Sequence, residues 1–163
     1  MNIAIFPDSK LRVKSVSVSQ VTEETRSLVA AMTERMDAEK GVGIAAPQCG
    51  IPLRIFVMRA PKLEVFINPT IEDLGEGMVA SEEGCLSLPG VHLSVSRFAA
   101  VAVRSIDLGG QEKHTTCRGL LSFCAQHEHD HLDGILMIDR VNNVMKRQAC
   151  WQMWEASHSK PHP

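Results

Sequence analysis

The sequence lacks the features of membrane, exported and nucleic-acid-binding proteins. No apolar run approaches the roughly 20 residues that a helix needs to cross a bilayer. The start, Met1 to Lys10, has neither the basic region nor the apolar stretch of a signal peptide. The 17 Lys and Arg residues are balanced by 19 Asp and Glu, a formal net charge of −2, which disfavours binding through many phosphate contacts. We therefore expect a soluble, cytoplasmic protein with no membrane partner and no sequence-specific nucleic-acid partner.

Aromatic residues are scarce, at 4% of the chain, and tyrosine is absent. Internal repeats, low-complexity segments and linkers are lacking as well. The remaining composition, 44% hydrophobic and 22% charged, is close to that of globular proteins and disfavours disordered, collagen-like and coiled-coil structures. A chain of 163 residues can bury the core of one domain. We expect a single domain over 1–163.

The cysteines do not form the pattern of a disulfide framework. Their number is odd, their spacing is irregular, and no export signal accompanies them. The five residues are Cys49, Cys85, Cys117, Cys124 and Cys150. Reduced thiols are expected, most of them as small core residues, which leaves room for one metal ligand or nucleophile among them.

Apolar periodicity predicts helices towards both ends of the chain and strands between them. Thr22 can cap a first helix that ends at Lys40, with Gly41 as a left-handed cap. The other predicted elements are strands at Ile51–Met58, Val65–Asn68, His92–Ser96 and Ala99–Asp107, and helices at Thr116–Asp133 and Asn142–Ala156. Because strands are grouped and do not alternate with helices, we expect an α+β fold. In this fold, mostly antiparallel strands surround a central helix, and a further helix lies at the C-terminus.

Bulky side chains of the outer helices are assigned to packing. Met32 and Met36 continue an apolar stripe with Leu28 and Val29, which is typical of a core-facing helix. Trp151 and Trp154 are interpreted as contacts that dock the last helix. The polar tail from Ser157 to Pro163 is given no functional role.

The central helix carries an HExxH pattern, His127-Glu128-His129-Asp130-His131. Residues four apart share one helix face, so His127 and His131 can bind one ion. Glu128 lies beside that face and can take a proton from water bound to the metal. A polar helix surface is the alternative interpretation.

Neighbouring residues decide which face of this helix points inward. Leu120 and Cys124 share the face of the two histidines, which disfavours a solvent-exposed histidine pair. His129 lies on the opposite face and is expected to be exposed or to support the site indirectly. Asp130 is given a similar supporting role.

A hydrolytic metal site needs three protein ligands and one open position. The extended metalloprotease motif would place a third histidine at the position that Met137 occupies. Asp139 and Glu155 are poorly placed by any pattern. Cys85, which lies between small and polar residues, is a plausible third ligand, and a thiolate with two imidazoles suits zinc or ferrous iron.

Taken together, the chain closely resembles peptide deformylase, the enzyme family that removes the N-formyl group from new polypeptides. Three family motifs occur in the family's order: GVGIAAPQ at Gly41–Gln48, EGCLS at Glu83–Ser87, and QHEHDH at Gln126–His131. The opening Pro7-Asp8 and Leu11-Arg12 also resemble the family. The resemblance covers nearly the whole chain.

The resemblance implies a role for each chemical group of the site. Cys85, His127 and His131 would bind the metal, and Glu128 would act as general base and later as general acid. Gln48 and the backbone N–H of Leu86 would donate hydrogen bonds to the oxygen that becomes negative. The family uses ferrous iron in the cell, with zinc, nickel or cobalt in preparations.

The resemblance also implies how a formyl-methionyl nascent peptide binds. Its extended backbone would pair with Val42, Gly43 and Ile44 on one side and with Gly84 on the other. The methionine pocket would be built from Gly41, Glu83, Leu120, Phe123 and Cys124, with His127 at its floor. Glu83 is expected to orient its loop by accepting backbone hydrogen bonds. The C-terminal helix could contact the ribosome near the exit tunnel.

Three positions depart from the usual pattern of the family. His92 stands where Arg or Tyr is frequent, Ser81 where an apolar residue is usual, and Cys49 where an aliphatic residue is usual. These departures leave open a specialised deformylase paralogue, or a metallopeptidase-like hydrolase with another N-acyl peptide preference. A non-catalytic binding protein is the third alternative, which the presence of both Glu128 and Gln48 disfavours.

Overall fold

The computed structural model describes residues 1–59 and 61–158, so most of the polar tail lies outside the described residues. Within them, seven strands lie between a first α-helix and two later ones. The helices are α1 (Glu23–Ala38), α2 (Leu120–Leu132) and α3 (Asn143–His158). The strands are β1 (Gly43–Ala45), β2 (Ile55–Arg59), β3 (Leu63–Asp73), β4 (Met78–Cys85), β5 (Leu88–Phe98), β6 (Ala100–Ile106) and β7 (Glu112–Arg118). None of the described helices is long and apolar enough to span a bilayer.

The strands form two separate antiparallel sheets. Five strands pair in the order β1-β2-β3-β6-β7, while β4 and β5 form a two-stranded hairpin. Helix α2 packs against strands of both sheets, so the helix that carries the HExxH pattern lies between them. The predicted α+β fold, with a central helix and a C-terminal helix, is confirmed.

Apolar side chains from all three helices form the core. Met32 and Met36 of α1 are fully buried against β1 and β2, which confirms the packing role predicted for this stripe. On α2, Ala125 and Leu132 belong to the cluster that contains the stacked rings of Phe56 and Phe66. Helix α3 packs on β5 through a third cluster. The rigid packing around α2 therefore comes from both sheets.

The second helix begins later than predicted. Thr116 and Cys117 belong to β7, where they pair with Ala102 and Val101 of β6, and α2 begins at Leu120. Gly119, with φ of 54°, separates the strand from the helix. The predicted stop at Gly134 is confirmed, since this residue has φ of 71° and an added Cβ would lie 2.7 Å from the Arg12 carbonyl oxygen.

The sequence patterns missed β1, β4 and β7 and placed one helix cap incorrectly. In β4 only Ser81 and Glu83 are buried, so the strand has no apolar alternation to recognise and depends on pairing with β5. Helix α1 ends at Ala38, and Lys40, not Gly41, takes the left-handed conformation, with φ of 56°.

The two tryptophans of α3 do not dock the helix, contrary to expectation. Trp151 is 57% exposed and Trp154 is 51% exposed, and their rings stack with centroids 5.0 Å apart. Met145, Ala149 and Met153 make the packing contacts with the body of the protein. The apolar stripe that buries α3 therefore lies on a different face from the tryptophans.

Asp139 joins three segments near the start of α3. Its carboxylate accepts hydrogen bonds from Arg12, from Lys146 at 2.6 Å and from the backbone N–H of Leu136 at 2.9 Å. Partial burial raises the pKa of Asp139, but the hydrogen bonds from Arg12 and Lys146 outweigh burial and lower it to about 2. Because this value lies below the usual 3.8, the ionised carboxylate stabilises the folded state.

We predict that Asp139→Asn lowers the free energy of unfolding by about 1–2 kcal/mol at pH 7, after discounting for partial exposure. The stabilisation is fully present above the unfolded pKa of about 3.8 and is lost as pH falls through the folded pKa of about 2. Urea unfolding at pH 7 and pH 3, at equal metal loading, measures the difference. Asp37→Asn is the control because Asp37 forms an exposed pair with Arg59, and it should change stability much less. An equal loss at both pH values would contradict the assignment.

Candidate metal centre and active site

The two histidines of the HExxH pattern lie on the buried face of α2. His127 and His131 are one turn apart, and their rings meet edge to face with centroids 5.0 Å apart. Cys124 lies one turn earlier and is half-buried. Leu120, which was expected to point inward, is 64% exposed because it lies at the open N-terminal end of the helix. This face of α2 is therefore buried at the two histidines and exposed to solvent at Leu120.

The hairpin brings Cys85 to these histidines. The pairing of β4 with β5 shifts register between Gly84 and Cys85, an irregularity that redirects the side chain at the strand end. The Cys85 Sγ lies 3.3 Å from the His131 Nε2. Ligand atoms of Cys85, His127 and His131 all lie within 4.8 Å of one another. The three residues that the sequence nominated as ligands thus converge, although 42 positions separate Cys85 from His127.

These residues fit a divalent cation. Burial lowers the pKa of His131 well below its usual value, so its imidazole is neutral, as a metal ligand must be. Burial also acts to lower the pKa of His127, but Cys85, Glu83 and Glu128 outweigh burial and raise it, so His127 must release a proton when an ion binds. One thiol and two imidazoles are a donor set for zinc or ferrous iron, and three protein ligands leave a position open for catalysis. The Nδ1 of His131 is buried with no hydrogen-bond partner among the described residues.

A buried carboxylate orients the other histidine. His127 donates its Nδ1 hydrogen to the Glu83 Oε2 at 2.9 Å, which leaves its Nε2 free to bind an ion. Arg97 donates to both oxygens of Glu83, at 2.8 and 3.0 Å, and to Asp130 at 2.6 Å. Glu83 therefore binds side chains, and the expectation that it accepts backbone hydrogen bonds was wrong. The supporting role expected of Asp130 agrees with its contact with Arg97.

Sequence reasoning missed Arg97, although the sequence contains a signal for it. From Val91 onwards the buried residues of β5 are Val91, Leu93, Val95 and Arg97, every second position of the strand. An arginine in the buried phase of an alternating strand must be paired inside the protein. Arg97 is only 3% exposed, and the two carboxylates described above neutralise it.

Glu128 is buried beside the two histidines. Burial raises the pKa of Glu128 to about 7, a value suited to accepting and returning a proton near neutral pH. A Cβ on Gly43 would lie 2.5 Å from the Glu128 Oε1 and 2.9 Å from the Cys124 Sγ. The second glycine of the GVGIAAPQ motif therefore allows β1 to pass close to this carboxyl group.

Gln48 faces the same cluster from a short 3₁₀-helix, Ala46–Cys49. Its Oε1 accepts a hydrogen bond from the Ala45 backbone N–H at 2.8 Å, and its Nε2 lies 3.6 Å from the Cys85 Sγ. The Nε2 of Gln48 thus faces Cys85. Leu86 directly follows Cys85 and lines the same cleft.

The cleft beside these residues has a volume of about 560 Å³, within the usual range of small-ligand sites. Its lining includes Val42, Gly43, Glu83, Gly84, Leu120, Phe123 and Cys124, which all belong to the predicted peptide-binding set. Burial raises the pKa of the Cys124 thiol well above its usual value, so this thiol is uncharged where it lines the cleft. Ile44 differs from the rest of the set because its side chain is in the core and it does not line the cleft.

The free edges of two strands border the cleft. Among the described strands, β1 pairs only with β2, and β4 pairs only with β5. Each therefore has unpaired backbone groups that an extended peptide could use. The cleft can accept such a peptide beside the cluster of metal-ligating side chains.

The three departures noted in the sequence lie in different environments. His92 is exposed at the rim of the cleft, where it packs against Gly84, and Ser81 is a buried part of the lining. Cys49 packs against the core cluster of α1, away from the cleft lining. His129 lies on the opposite face of α2, half-buried, 3.1 Å from the Nη2 of Arg54. The prediction that His129 does not belong to the ligand set agrees with this position.

The chain is similar to known proteins in sequence and in structure. The family model described as Polypeptide deformylase matches residues 1–147. The chain is 40% identical to Peptide deformylase 1 of Pseudomonas syringae pv. tomato, over 97% of this chain and 96% of that protein. A crystal structure of a peptide deformylase from Legionella pneumophila superposes with a TM-score of 0.90 at 34% identity, covering 98% of each chain. The peptide deformylase of Ehrlichia chaffeensis superposes with a TM-score of 0.92 at 32% identity, covering 98% of this chain and 97% of that one.

We predict that Cys85→Ala lowers the affinity of the protein for Zn²⁺ by at least about 100-fold, because two imidazoles alone make a weak site. Titration of the metal-free protein against a competing chelator measures this affinity. Cys124→Ala is the matched control, since it removes a thiol one helical turn from His127. Equal affinities of the Cys85→Ala variant and the unchanged protein would contradict the ligand assignment.

Proposed function

The chain belongs to the polypeptide deformylase family, and from this premise we propose how it removes the N-formyl group from the formyl-methionine of nascent peptides. The observation that carries the proposal is the convergence of Cys85, His127 and His131 beside the buried Glu128, at one end of a peptide-sized cleft. We propose that the three converging residues bind the metal and that Glu128 is the general base.

The metal is proposed to be ferrous iron, with zinc, nickel or cobalt able to occupy the same donors. A divalent cation held there would act as a Lewis acid that lowers the pKa of water. The mixed donor set supports this range of metals because thiolates and imidazoles bind all of them. Glu83 and Arg97 hold the ring of His127 in the orientation that presents Nε2.

Glu128 is proposed to take a proton from the attacking water. Its buried position beside the proposed ligands supports this role, because the same group can then give the proton to the leaving amine. Water oxygen forms the new bond to the formyl carbon, and the C–N bond breaks. The products are formate and a peptide with a free amino terminus, so the proton taken from water ends on the amine.

Two donors are proposed to stabilise the negative oxygen that develops during attack. They are the Nε2 of Gln48, whose Oε1 accepts the Ala45 N–H, and the backbone N–H of Leu86. Both belong to segments that border the metal cluster, so they can act on the same oxygen.

The substrate is proposed to lie between the free edges of β1 and β4. The methionine side chain would contact the uncharged wall formed by Leu120, Phe123 and Cys124. Since the formyl carbon carries only hydrogen, a tightly enclosed centre can accept it and reject the methyl group of an acetyl peptide. Comparison of formyl-Met-Ala-Ser with acetyl-Met-Ala-Ser therefore separates this function from hydrolysis of other N-acyl peptides.

The protein is proposed to work in the cytoplasm, close to the ribosome that supplies its substrate. The exposed stack of Trp151 and Trp154, flanked by Lys146 and Arg147, gives α3 a partly basic surface that could contact the ribosome.

We predict that Trp151→Ala with Trp154→Ala reduces cosedimentation with ribosomes severalfold, while turnover of a free formyl tripeptide is unchanged. Undiminished cosedimentation would contradict this assignment.

We predict that Glu128→Gln lowers kcat on formyl-Met-Ala-Ser by at least about 10³-fold while one equivalent of metal is retained. The amide has nearly the same shape but cannot accept the proton of water. Steady-state kinetics and elemental analysis of the same preparation test both parts. Glu72→Gln is the control, since Glu72 is an exposed residue of β3 paired with Arg104. A variant that keeps more than about a tenth of the activity would exclude Glu128 as the general base.

A further inference from the structure

We propose that Ser87 is a positioning residue that aims the amide of Gln48 into the active site. This inference rests on the proposed function of Gln48 as a hydrogen-bond donor to the reacting oxygen. The Ser87 side chain is fully buried, and its Oγ lies 3.2 Å from the Nε2 of Gln48.

The orientation of the Gln48 amide follows from its two neighbours. The backbone N–H of Ala45 can only donate, so the group that faces it at 2.8 Å must be the Oε1 of Gln48. The Nε2 then faces Ser87 and Cys85. Since the Ser87 hydroxyl can accept a hydrogen bond, the two contacts agree on a single orientation of the amide.

The two hydrogens on the Gln48 Nε2 then point towards different acceptors. One is donated to the Ser87 Oγ, and the other points towards the Cys85 Sγ, 3.6 Å away, at the metal cluster. Only the second is available to a substrate oxygen. Without an acceptor at position 87, the first hydrogen would be buried and unsatisfied, and the amide would rotate to recover a partner.

The backbone keeps the two residues at a fixed separation independently of their own contact. The N–H of Ala4 donates to the carbonyl oxygen of Gln48 at 2.7 Å, and the N–H of Phe6 donates to that of Ser87 at 2.9 Å. One extended N-terminal segment therefore joins both loops. Removal of the Ser87 hydroxyl should leave the loops in place and change only the amide orientation.

The test is a double-mutant cycle on formyl-Met-Ala-Ser. We expect Ser87→Ala to lower kcat about tenfold with KM within about twofold, because an interaction made mainly in the transition state is weakened. Gln48→Ala should lower kcat about 100-fold. The double variant should be no slower than Gln48→Ala alone, since Ser87 acts only through that amide. Multiplication of the two losses, or no loss in Ser87→Ala, would overturn the proposal.

Two further readouts separate positioning from structural support. Metal content of Ser87→Ala should match that of the control Ser105→Ala, which removes a buried hydroxyl without a hydrogen-bond partner in the described residues. A loss of metal in Ser87→Ala would overturn the proposal, because Ser87 would then support the Cys85 loop. Ser87→Cys retains a weak acceptor and should give an intermediate kcat, and it serves in the cycle if the alanine variant does not fold.

Failure of the proposed function and failure of the role of Ser87 give different results. An unchanged protein that does not release formate from formyl-Met-Ala-Ser would overturn the proposed function itself. Normal turnover by the unchanged protein, with independent effects of the two substitutions, would overturn only the role of Ser87.

Discussion

The site depends on one buried ion-pair network centred on Arg97. This residue of β5 pairs with Glu83 of β4 and with Asp130 of α2, and Glu83 also accepts the Nδ1 hydrogen of His127. The hairpin is thereby joined to the central helix at the level where Cys85 meets the histidines. Loss of one partner would leave a buried charge unpaired, which is far more costly than loss of a surface pair. The network therefore constrains how the hairpin meets α2.

Local patterns predicted the parts of the site that lie within one element. The four-residue spacing of His127 and His131 requires only a helix, and the motif indicates it directly. Cys85 lies at the end of β4, in a different element from the two histidines. Local spacing therefore made it only a candidate ligand, and the resemblance to a family gave it that role. The role of Glu83 was mistaken because its partner Arg97 is 14 residues away on the opposite strand of the hairpin. Long-range pairing of this kind has no signature in a single segment.

Prediction of the strands met the same limit, because a polar strand lacks an apolar pattern. Strand β4 buries only Ser81 and Glu83 on its inner face, and neither residue type indicates a strand. Two glycines two residues apart, as in the GVGIAAPQ motif, are compatible with a turn or with a close approach of another group. In the structure Gly43 lies in β1 against Glu128. The requirement for glycine thus arises from a tertiary contact.

The departures from the family pattern act at different distances from the chemistry. Cys49 packs in the core, where burial raises the pKa of its thiol to about 11 and keeps it uncharged. Ser81 and His92 line the cleft, but neither belongs to the group of candidate metal ligands. Among the described residues, neither side chain is hydrogen-bonded to Glu83 or Arg97. His92 is exposed beside Gly84, on the path open to an extended peptide. Any difference in peptide preference would therefore arise at the rim, while the buried network keeps the reacting groups in the same arrangement.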